Sequence, residues 1–467
     1  MRTITTCWLG ASLLSSLPLL AQADELDTLK ASITHMQQQL QQLQQQLQQS
    51  ASASPAAQAE DAAADTQQLL NNMEMKLDKL SDAAENGPLA NLSISGYLDP
   101  LYVFNRQQHR SGFSFVNHDA HYAYDTANLG DVYLDIKKGF GNGPMAPYAE
   151  ITIQPNRGSG ITTSWNASSA NDSIINSAQL VIPLDQHWQV FAGQIPSFAG
   201  YEYATSPQTL TISHNLLYDF SEPAFFVGGG AQWVSGQWLW KGMLGNEAGR
   251  TEVAQVGQRR NNTPSFSWRM DYQYTNNIDI GWSGLIGRGT AADYSGTATA
   301  FQPVFYTELD ISSSNLNDTI NAQLDYGSAG GSALNGGRAQ WWGLSLLRHH
   351  RFDSAWLGKM GWTLRYDYLD NSKNGGGTPN VALGSSGNDG ANGFGSDPAC
   401  VAANGVAGCS GAKRQDITAA LLFYPSEQLQ LKLEYRHDIA SQATFDNNSG
   451  GTGKHNDVLS AQAVYSF

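Results

Sequence analysis

The chain has few charged residues, few cysteines and no long apolar segment. Only 14% of its 467 residues are charged, and 41 acidic residues against 26 basic ones give a formal net charge of −15. Because an acidic chain repels phosphate backbones, and because basic runs with interleaved aromatics are missing, nucleic-acid binding is not expected. No apolar run is long enough for a membrane-spanning helix.

The local signatures of several enzyme classes are also missing. The sequence contains no G-x-S-x-G, no H-E-x-x-H and no G-x-x-x-x-G-K-[ST] motif, so we expect neither an enzyme nor a bound cofactor or metal. What the chain has in quantity is 47 glycines and 10% aromatic residues. This composition favours β structure.

The amino terminus predicts export from the cytoplasm. Arg2 precedes an apolar segment that ends at Leu20, and the small-x-small sequence Ala21-Gln22-Ala23 follows. We therefore predict a signal peptide over residues 1–23. Cys7 leaves with this peptide, and the remaining Cys400 and Cys409 of an exported chain are predicted to form one local disulfide.

A coiled coil is predicted directly after the cleavage site, over residues 24–49. Its seven apolar residues alternate in spacing between three and four, which places them on one seam of a supercoiled helix that needs partner helices: Leu26, Leu29, Ile33, Met36, Leu40, Leu43 and Leu47. A Gln-rich low-complexity segment is the alternative. An Ala/Ser-rich linker follows over residues 50–65, and a second heptad segment over 66–86.

From residue 89 to residue 467 the apolar residues recur with a period of two. In residues 266–274, for example, Phe266, Trp268 and Met270 fall on one face of a strand, whereas Arg269 and Asp271 fall on the other. About sixteen such segments occur, with starts near 92, 128, 145, 172, 187, 224, 237, 264, 278, 302, 318, 338, 357, 414, 428 and 457.

The connections between these segments alternate between short and long. Short ones include 183–186, 235–236, 275–277, 313–315 and 425–427; long ones include 105–127, 156–171, 196–223, 247–263, 289–301, 370–413 and 438–456. A soluble β-sandwich shows the same period, but sixteen strands with one charged face have too much polar inner surface for a packed core. The fold class predicted is an all-β transmembrane barrel of about 16 antiparallel strands, preceded by an α-helical coiled coil.

The last strand ends in Tyr465-Ser466-Phe467. A terminal Phe with an aromatic residue two positions before it resembles the signal by which the barrel-assembly machinery recognises outer-membrane barrels. Together with the signal peptide, the coiled coil and the even strand number, it resembles the trimeric Gram-negative porins that carry a periplasmic coiled coil. Gly96-Tyr97-Leu98-Asp99-Pro100, Gly193-Gln194-Ile195-Pro196 and residues 213–220 resemble most closely an uncharacterised proteobacterial family of such barrels.

This resemblance implies an outer-membrane location, with the barrel in the lipid bilayer. It places the coiled coil in the periplasm, where it could reach the cell wall. It also implies a homotrimer. In porins of this class the third external loop folds inward and narrows the pore, which here is the connection 196–223. Its predicted constriction residues are Tyr201, Glu202, Tyr218, Asp219 and Glu222, with Asp219 and Glu222 as the leading acidic candidates.

Strand parity assigns a further set of charged residues to the lumen wall. The acidic members are Asp131, Asp135, Glu150, Asp271, Asp279, Glu308, Asp310, Asp325, Asp367 and Glu434, and the basic members are Lys241, Arg269, Arg365, Lys432 and Arg436. The acidic excess predicts a mild cation preference. Pairing of Arg269 with Asp271 as a wall support is the alternative role for such charges.

The function expected from the sequence is passive diffusion of small hydrophilic solutes through a water-filled pore. The alternative is an envelope-tethering or surface-interaction protein, whose coiled coil binds cell wall or a partner and whose barrel is an anchor. An open lumen favours the first function, and a sealed lumen favours the second.

Overall fold

The computed structural model describes 22 strands and two short α-helices. The signal peptide, the coiled coil, the linker and the second heptad segment all lie outside the described residues. The structure describes residues 90–116, 130–141, 146–154, 174–223, 225–247, 255–256, 259–260, 263–292, 298–377 and 388–467.

The described residues belong to two compact units. The smaller unit comprises residues 90–95, 137–141 and Phe467, and within it the Gly139 N–H donates to the Asn91 carbonyl at 2.9 Å.

The larger unit contains the barrel. Its strands and those of the smaller unit, in chain order, are β1 (Leu92–Leu98), β2 (Leu101–Asn105), β3 (Arg110–Ser114), β4 (Val132–Gly139), β5 (Tyr148–Ile153), β6 (Ile175–Pro183), β7 (Trp188–Pro196), β8 (Phe225–Ser235), β9 (Trp238–Glu247), β10 (Gln255–Val256), β11 (Arg259–Arg260), β12 (Ser265–Thr275), β13 (Ile278–Ala292), β14 (Ala298–Ser314), β15 (Asp318–Ala329), β16 (Ala339–Ser354), β17 (Gly358–Asp370), β18 (Lys413–Phe423), β19 (Leu429–Ala440), β20 (Phe445–Asp446), β21 (Thr452–Gly453) and β22 (His455–Ser466).

The barrel is closed and has sixteen antiparallel strands. Strands β1 and β2 form its first strand, interrupted at Asp99-Pro100, and β3 and β4 form its second. Each later strand pairs with its neighbour in the chain, apart from the small hairpins β10–β11 and β20–β21. Closure comes from β22, which pairs with β19 on one side and with β1 and β2 on the other, for example Tyr97 with Ser466 and Leu101 with Gln462.

The predicted strand number is therefore confirmed, and every predicted start lies within about four residues of a strand start in the structure. The predicted long connection 105–127 is wrong in one respect. A tight turn at residues 106–109 joins β2 to β3, which pairs with β2. The second barrel strand therefore starts at β3 and is interrupted before it continues as β4. β3 has only five residues, which is too few for a periodic signal in the sequence.

The two faces of the barrel wall differ as the period of two predicts. Outward side chains are large and apolar along the whole wall, and examples such as Trp282, Leu324 and Leu459 are 41%, 50% and 54% exposed. Four tryptophans form an outward cluster beside the short turns: Trp188, Trp233, Trp238 and Trp240. An apolar belt with aromatic residues at its rim is typical of barrels in lipid.

The two α-helices lie in the connections at the end of the barrel that carries the long loops. Helix α1 (Leu216–Phe220) is in the connection after β7, and helix α2 (Pro398–Asn404) is in the connection after β17. The predicted disulfide between Cys400 and Cys409 is present and ties the first turn of α2 to the segment that follows the helix. Among the described residues, no helix is both long enough and apolar enough to cross a membrane.

Gly193 in β7 is predicted to be essential for barrel folding. Its φ of +144° is a conformation that side chains with a Cβ rarely adopt, and an added Cβ would lie 2.0 Å from the carbonyl oxygen of Ala178 in β6. We expect Gly193→Ala to destabilise the folded barrel by about 2 kcal/mol or more. The measurement is the fraction of protein that keeps the compact electrophoretic mobility of a folded barrel as temperature rises.

Gly242→Ala is the matched control, because the nearest atom to its added Cβ is a Phe266 ring carbon at 3.5 Å, an ordinary contact. Equal unfolding temperatures for the two variants would contradict the steric argument.

Candidate functional site in the barrel lumen

Residues 197–223, named here the lumen loop, leave β7 and cross the interior of the barrel. The carbonyl of Phe198 accepts a hydrogen bond from Arg269 of β12 at 3.3 Å. Eight residues later, the Ser206 hydroxyl donates to Asp99, between β1 and β2, at 2.5 Å. Since β12 is the eighth barrel strand and Asp99 belongs to the first, these contacts lie on opposite walls.

A buried lysine holds the middle of the lumen loop. The Lys432 ammonium of β19 donates to the carbonyl oxygens of Ser206, Thr209 and Thr211 at 2.7, 2.8 and 3.1 Å. The lysine is 1% exposed, so these carbonyls replace water around the ammonium group. Burying an ammonium is costly unless it is hydrogen-bonded in this way.

Glu434 and Arg365 bind the next part of the lumen loop. Glu434 accepts hydrogen bonds from the Ile212 backbone N–H at 2.5 Å and from the Ser213 hydroxyl at 2.6 Å. Arg365 of β17 donates to the carbonyl oxygens of Ser213 and His214 at 2.6 and 2.8 Å. Charged partners on two strands therefore fix the backbone of three consecutive loop residues.

Helix α1 begins at a side-chain cap and continues the contact with the wall. The Asn215 side chain accepts hydrogen bonds from the backbone N–H groups of Leu217 and Tyr218, both at 2.8 Å, which satisfies two donors of the helix start. Asp367 of β17 accepts from the Leu216 N–H at 3.2 Å. Leu216 and Leu217 are fully buried.

After α1 the lumen loop returns to β8 along two further strands. The indole of Trp341 in β16 donates to the Ser221 hydroxyl at 3.0 Å, and the amide of Gln323 in β15 donates to the Glu222 carboxylate at 2.6 Å. The loop thus follows the wall from β19 to β15 after it has crossed the lumen.

The structure places the predicted constriction residues in this loop, but most of their side chains face the wall. The Asp219 carboxylate is 2% exposed and lies 3.6 Å from His214. The Glu202 carboxylate is 4% exposed and lies 3.7 Å from Arg365, and Glu222 is 8% exposed. The Tyr201 hydroxyl contacts Ser345 at 2.8 Å, and the Tyr218 ring lies over His214 at 4.1 Å.

Burial changes the acidity of these loop groups. Loss of water raises the pKa of Asp219 to about 7, although Arg436, Arg365 and Arg414 act in the opposite direction. Burial likewise raises the pKa of Glu202 and that of Glu222, where the nearby Asp325 acts in the same direction. The loop therefore contains carboxyl groups that hold protons more strongly than free carboxylates do.

The predicted lumen-wall residues lie on the inner face of the barrel, and many of them pair with one another. Arg269 contacts Asp271 at 2.6 Å, Glu308 at 2.9 Å and Asp310 at 2.6 Å. Arg365 contacts Asp367 at 2.9 Å. The role of Arg269 and Asp271 as paired supports is thus present in the structure.

The wall divides into two halves by exposure. We call β14–β19 with β22 the covered wall, because the lumen loop lies over it. Its charged residues are 0 to 3% exposed: Glu308, Asp310, Asp325, Arg365, Asp367, Lys432, Glu434 and Arg436.

We call the inner faces of β4–β9 and β12, with Asp279 at the start of β13, the open wall. Many of its polar and charged side chains are partly exposed, whereas Thr152, Ser177 and Ser267 on the same faces are buried. The partly exposed ones include Tyr133, Asp135, Lys137, Tyr148, Glu150, Gln179, Lys241, Arg269, Asp271 and Asp279. Asp131, just before β4, is buried, and its backbone N–H donates to Asp99 at 2.5 Å.

Sequence reasoning missed four buried charges. Asp99 lies between β1 and β2, directly before Pro100. Because the strand is interrupted there, the period of two did not show which face of the wall the Asp99 side chain occupies. Arg414 and Asp416 lie on β18, where no lumen-wall residue was predicted, and Asp438 follows Arg436 by two residues on β19; Asp416 and Asp438 contact Arg436 at 3.1 and 3.0 Å. Period-two alternation along β18, and one more step of it along β19, would have identified these three residues.

The matching protein family is described as "Protein of unknown function (DUF3138)", and its profile covers residues 48–467. No curated protein matches the sequence.

Solved structures with a similar fold are Gram-negative outer-membrane porins and channels. The outer membrane channel DcaP of Acinetobacter baumannii has a TM-score of 0.50 and 12% identity, covering 80% of this chain and 97% of its own. The anion-selective porin from Comamonas acidovorans has a TM-score of 0.49 and 10% identity, covering 80% and 99%. OmpF of Salmonella typhi has a TM-score of 0.46 and 10% identity, covering 80% and 97%.

At these identities the DcaP likeness supports the fold alone, and that fold is the porin barrel built above from strand pairing. The family profile covers most of the chain, including every barrel strand. The chain therefore belongs to the DUF3138 family, and its barrel has the fold of the outer-membrane porins.

Proposed function

We propose that this protein is an outer-membrane channel for the passive diffusion of small hydrophilic solutes. The observation that carries the proposal is the open wall, a strip of partly exposed polar side chains inside a closed barrel with an apolar exterior. Water can contact these side chains only if it enters the lumen. A polar lumen inside an apolar wall is the arrangement of water-filled barrels.

A mild cation preference follows from the charges on the open wall. Four carboxylates, those of Asp135, Glu150, Asp271 and Asp279, lie on it. Three basic groups lie there, Lys137, Lys241 and Arg269, and Arg269 is already shared among three carboxylates. The surplus negative charge raises the local concentration of cations.

The lumen loop is proposed as the constriction. Its accessible face bounds the passage opposite the open wall, and Tyr203 on that face is 44% exposed. The buried residues Tyr201, Glu202, Asp219 and Glu222 would act by holding the loop in position, because their side chains contact the covered wall or the loop itself.

We further propose a homotrimer whose coiled coil lies in the periplasm, where it is available to bind cell wall. The barrel-assembly machinery would recognise the end of β22, in which the Tyr465 ring faces outward and is 51% exposed.

One observation favours the alternative function, an envelope-tethering or surface-interaction protein. The lumen loop crosses the barrel and packs against seven or more of its strands, which reduces the free cross-section. Folded protein that stays silent in planar bilayers would favour this alternative over the channel.

The two walls predict different effects on ion selectivity. Asp135→Asn with Glu150→Gln removes charge from the open wall and should reduce the cation-to-anion permeability ratio about twofold. Asp219→Asn with Glu222→Gln changes only groups that are covered, and should leave that ratio unchanged. Reversal potentials in a salt gradient, measured on purified protein in planar bilayers, give this ratio for both double variants. A larger change in the ratio from the Asp219 and Glu222 variant than from the Asp135 and Glu150 variant would overturn the assignment of the open wall.

The lumen loop should dock more firmly at acidic pH than at alkaline pH. The folded loop raises the pKa of Asp219 from 3.8 to about 7, so between these values the docked state binds a proton that the undocked state lacks. Docking is therefore favoured below this range and weakens as pH rises through about 7. We expect more current fluctuations at pH 8.5 than at pH 5.5, and a smaller difference in Asp219→Asn. The same change at Asp185, in an exposed turn, is the control.

Deletion of Phe467 should reduce insertion of the barrel into the outer membrane. The physical reason is loss of the terminal aromatic residue that the assembly machinery is proposed to bind. The measurement is the amount of folded protein in outer-membrane fractions, with Phe467→Tyr as the control that keeps an aromatic ring. Normal insertion of the deletion variant would remove the sorting role from this residue.

A further inference from the structure

The open wall carries aromatic rings between its carboxylates. Resting on the channel function proposed above, we propose that this strip binds organic cations that contain a flat apolar group, and that such amines are the preferred solutes. The strip comprises Tyr133, Asp135, Tyr148 and Glu150 on the wall, with Phe198 and Tyr203 on the lumen loop.

The first part of the strip lies on β4 and β5. Tyr133 stacks on Tyr97 with ring centroids 5.1 Å apart, which fixes its orientation. Both Tyr133 and Tyr148 lie within electrostatic range of Asp135 and Glu150. All four side chains are partly exposed. Two rings and two carboxylates thus border the same side of the water-filled space.

The second part already holds a cation of the chain itself. The Lys241 ammonium lies 4.8 Å from the centroid of the Phe198 ring, within electrostatic range of Asp271. The ring is held by Phe191 and Phe226, at centroid distances of 6.1 and 6.2 Å. An ammonium over an aromatic face beside a carboxylate is the contact that a bound amine would make.

The third part faces the strip from the lumen loop. Tyr203 is the most exposed aromatic residue of the loop, and it lies within electrostatic range of Asp279. A cation in the passage would therefore meet ring and carboxylate on the loop as well as on the wall.

The chemistry of the strip favours organic cations over anions and neutral sugars. Anions are disfavoured by four carboxylates against Lys137, Lys241 and the paired Arg269. A neutral sugar carries no charge for the four carboxylates to attract, so the strip favours it less than a cation. A cation with an apolar face uses both the carboxylates and the rings.

The test is current block in planar bilayers by three probes added to the wild-type channel. Benzyltrimethylammonium has charge and ring, tetramethylammonium has charge alone, and benzenesulfonate has a ring with negative charge. We expect benzyltrimethylammonium to block at about threefold lower concentration than tetramethylammonium, the effect of a weak cation–π contact, and benzenesulfonate not to block.

Two variants locate the binding strip. Tyr148→Leu should weaken the block by benzyltrimethylammonium about threefold, whereas Tyr326→Leu, the same change on the outward face of β15, should leave it unchanged. Lys241→Met removes the resident ammonium from Phe198 and should strengthen the block about threefold.

The failures of the two proposals are distinguishable. A channel that conducts but is blocked equally by both ammonium probes, or is unaffected by both the Tyr148 and Lys241 changes, overturns the organic-cation site and leaves the channel function standing. Folded protein without conductance overturns both.

Discussion

The structure depends on the need to satisfy charges that have been taken out of water inside the barrel. Lys432, Glu434 and Arg365 have no water-filled surroundings, and backbone groups of the lumen loop supply their hydrogen bonds instead. Removing either partner would leave a buried group unpaired, which is costly. The position of the lumen loop therefore depends on these buried side chains, and their burial depends on the loop.

This constraint also explains why the lumen is asymmetric. Side chains on the covered wall are used to bind the loop, so their charges are balanced at short range. Many of those on the open wall are partly exposed instead. Side chains of the same chemical type therefore have different roles on the two walls. Glu434 binds backbone N–H groups of the lumen loop, whereas Glu150 is partly exposed and accepts a hydrogen bond from Gln179.

The sequence was sufficient for the barrel and insufficient for the packing inside it. Alternation is a local property, so β19 could be recognised and the inward parity of Lys432, Glu434 and Arg436 could be assigned. The orientation of Asp219 and Glu222 depends instead on partners distant in sequence, such as Gln323, which is 101 residues from Glu222. A loop rich in acids and aromatics looks the same in sequence whether those side chains face water or the wall.

The environment of Arg414 has a consequence for the barrel as a whole. Its guanidinium lies 5.9 Å from the Phe220 ring in α1, 5.1 Å from Phe394 in the loop after β17, and 4.9 Å from Phe445 in β20. Three segments far apart in sequence therefore share one cation. A molecule that displaces the loop after β17 or the β20 segment would also remove part of the support of α1, so that a disturbance at this end of the barrel would reach its interior.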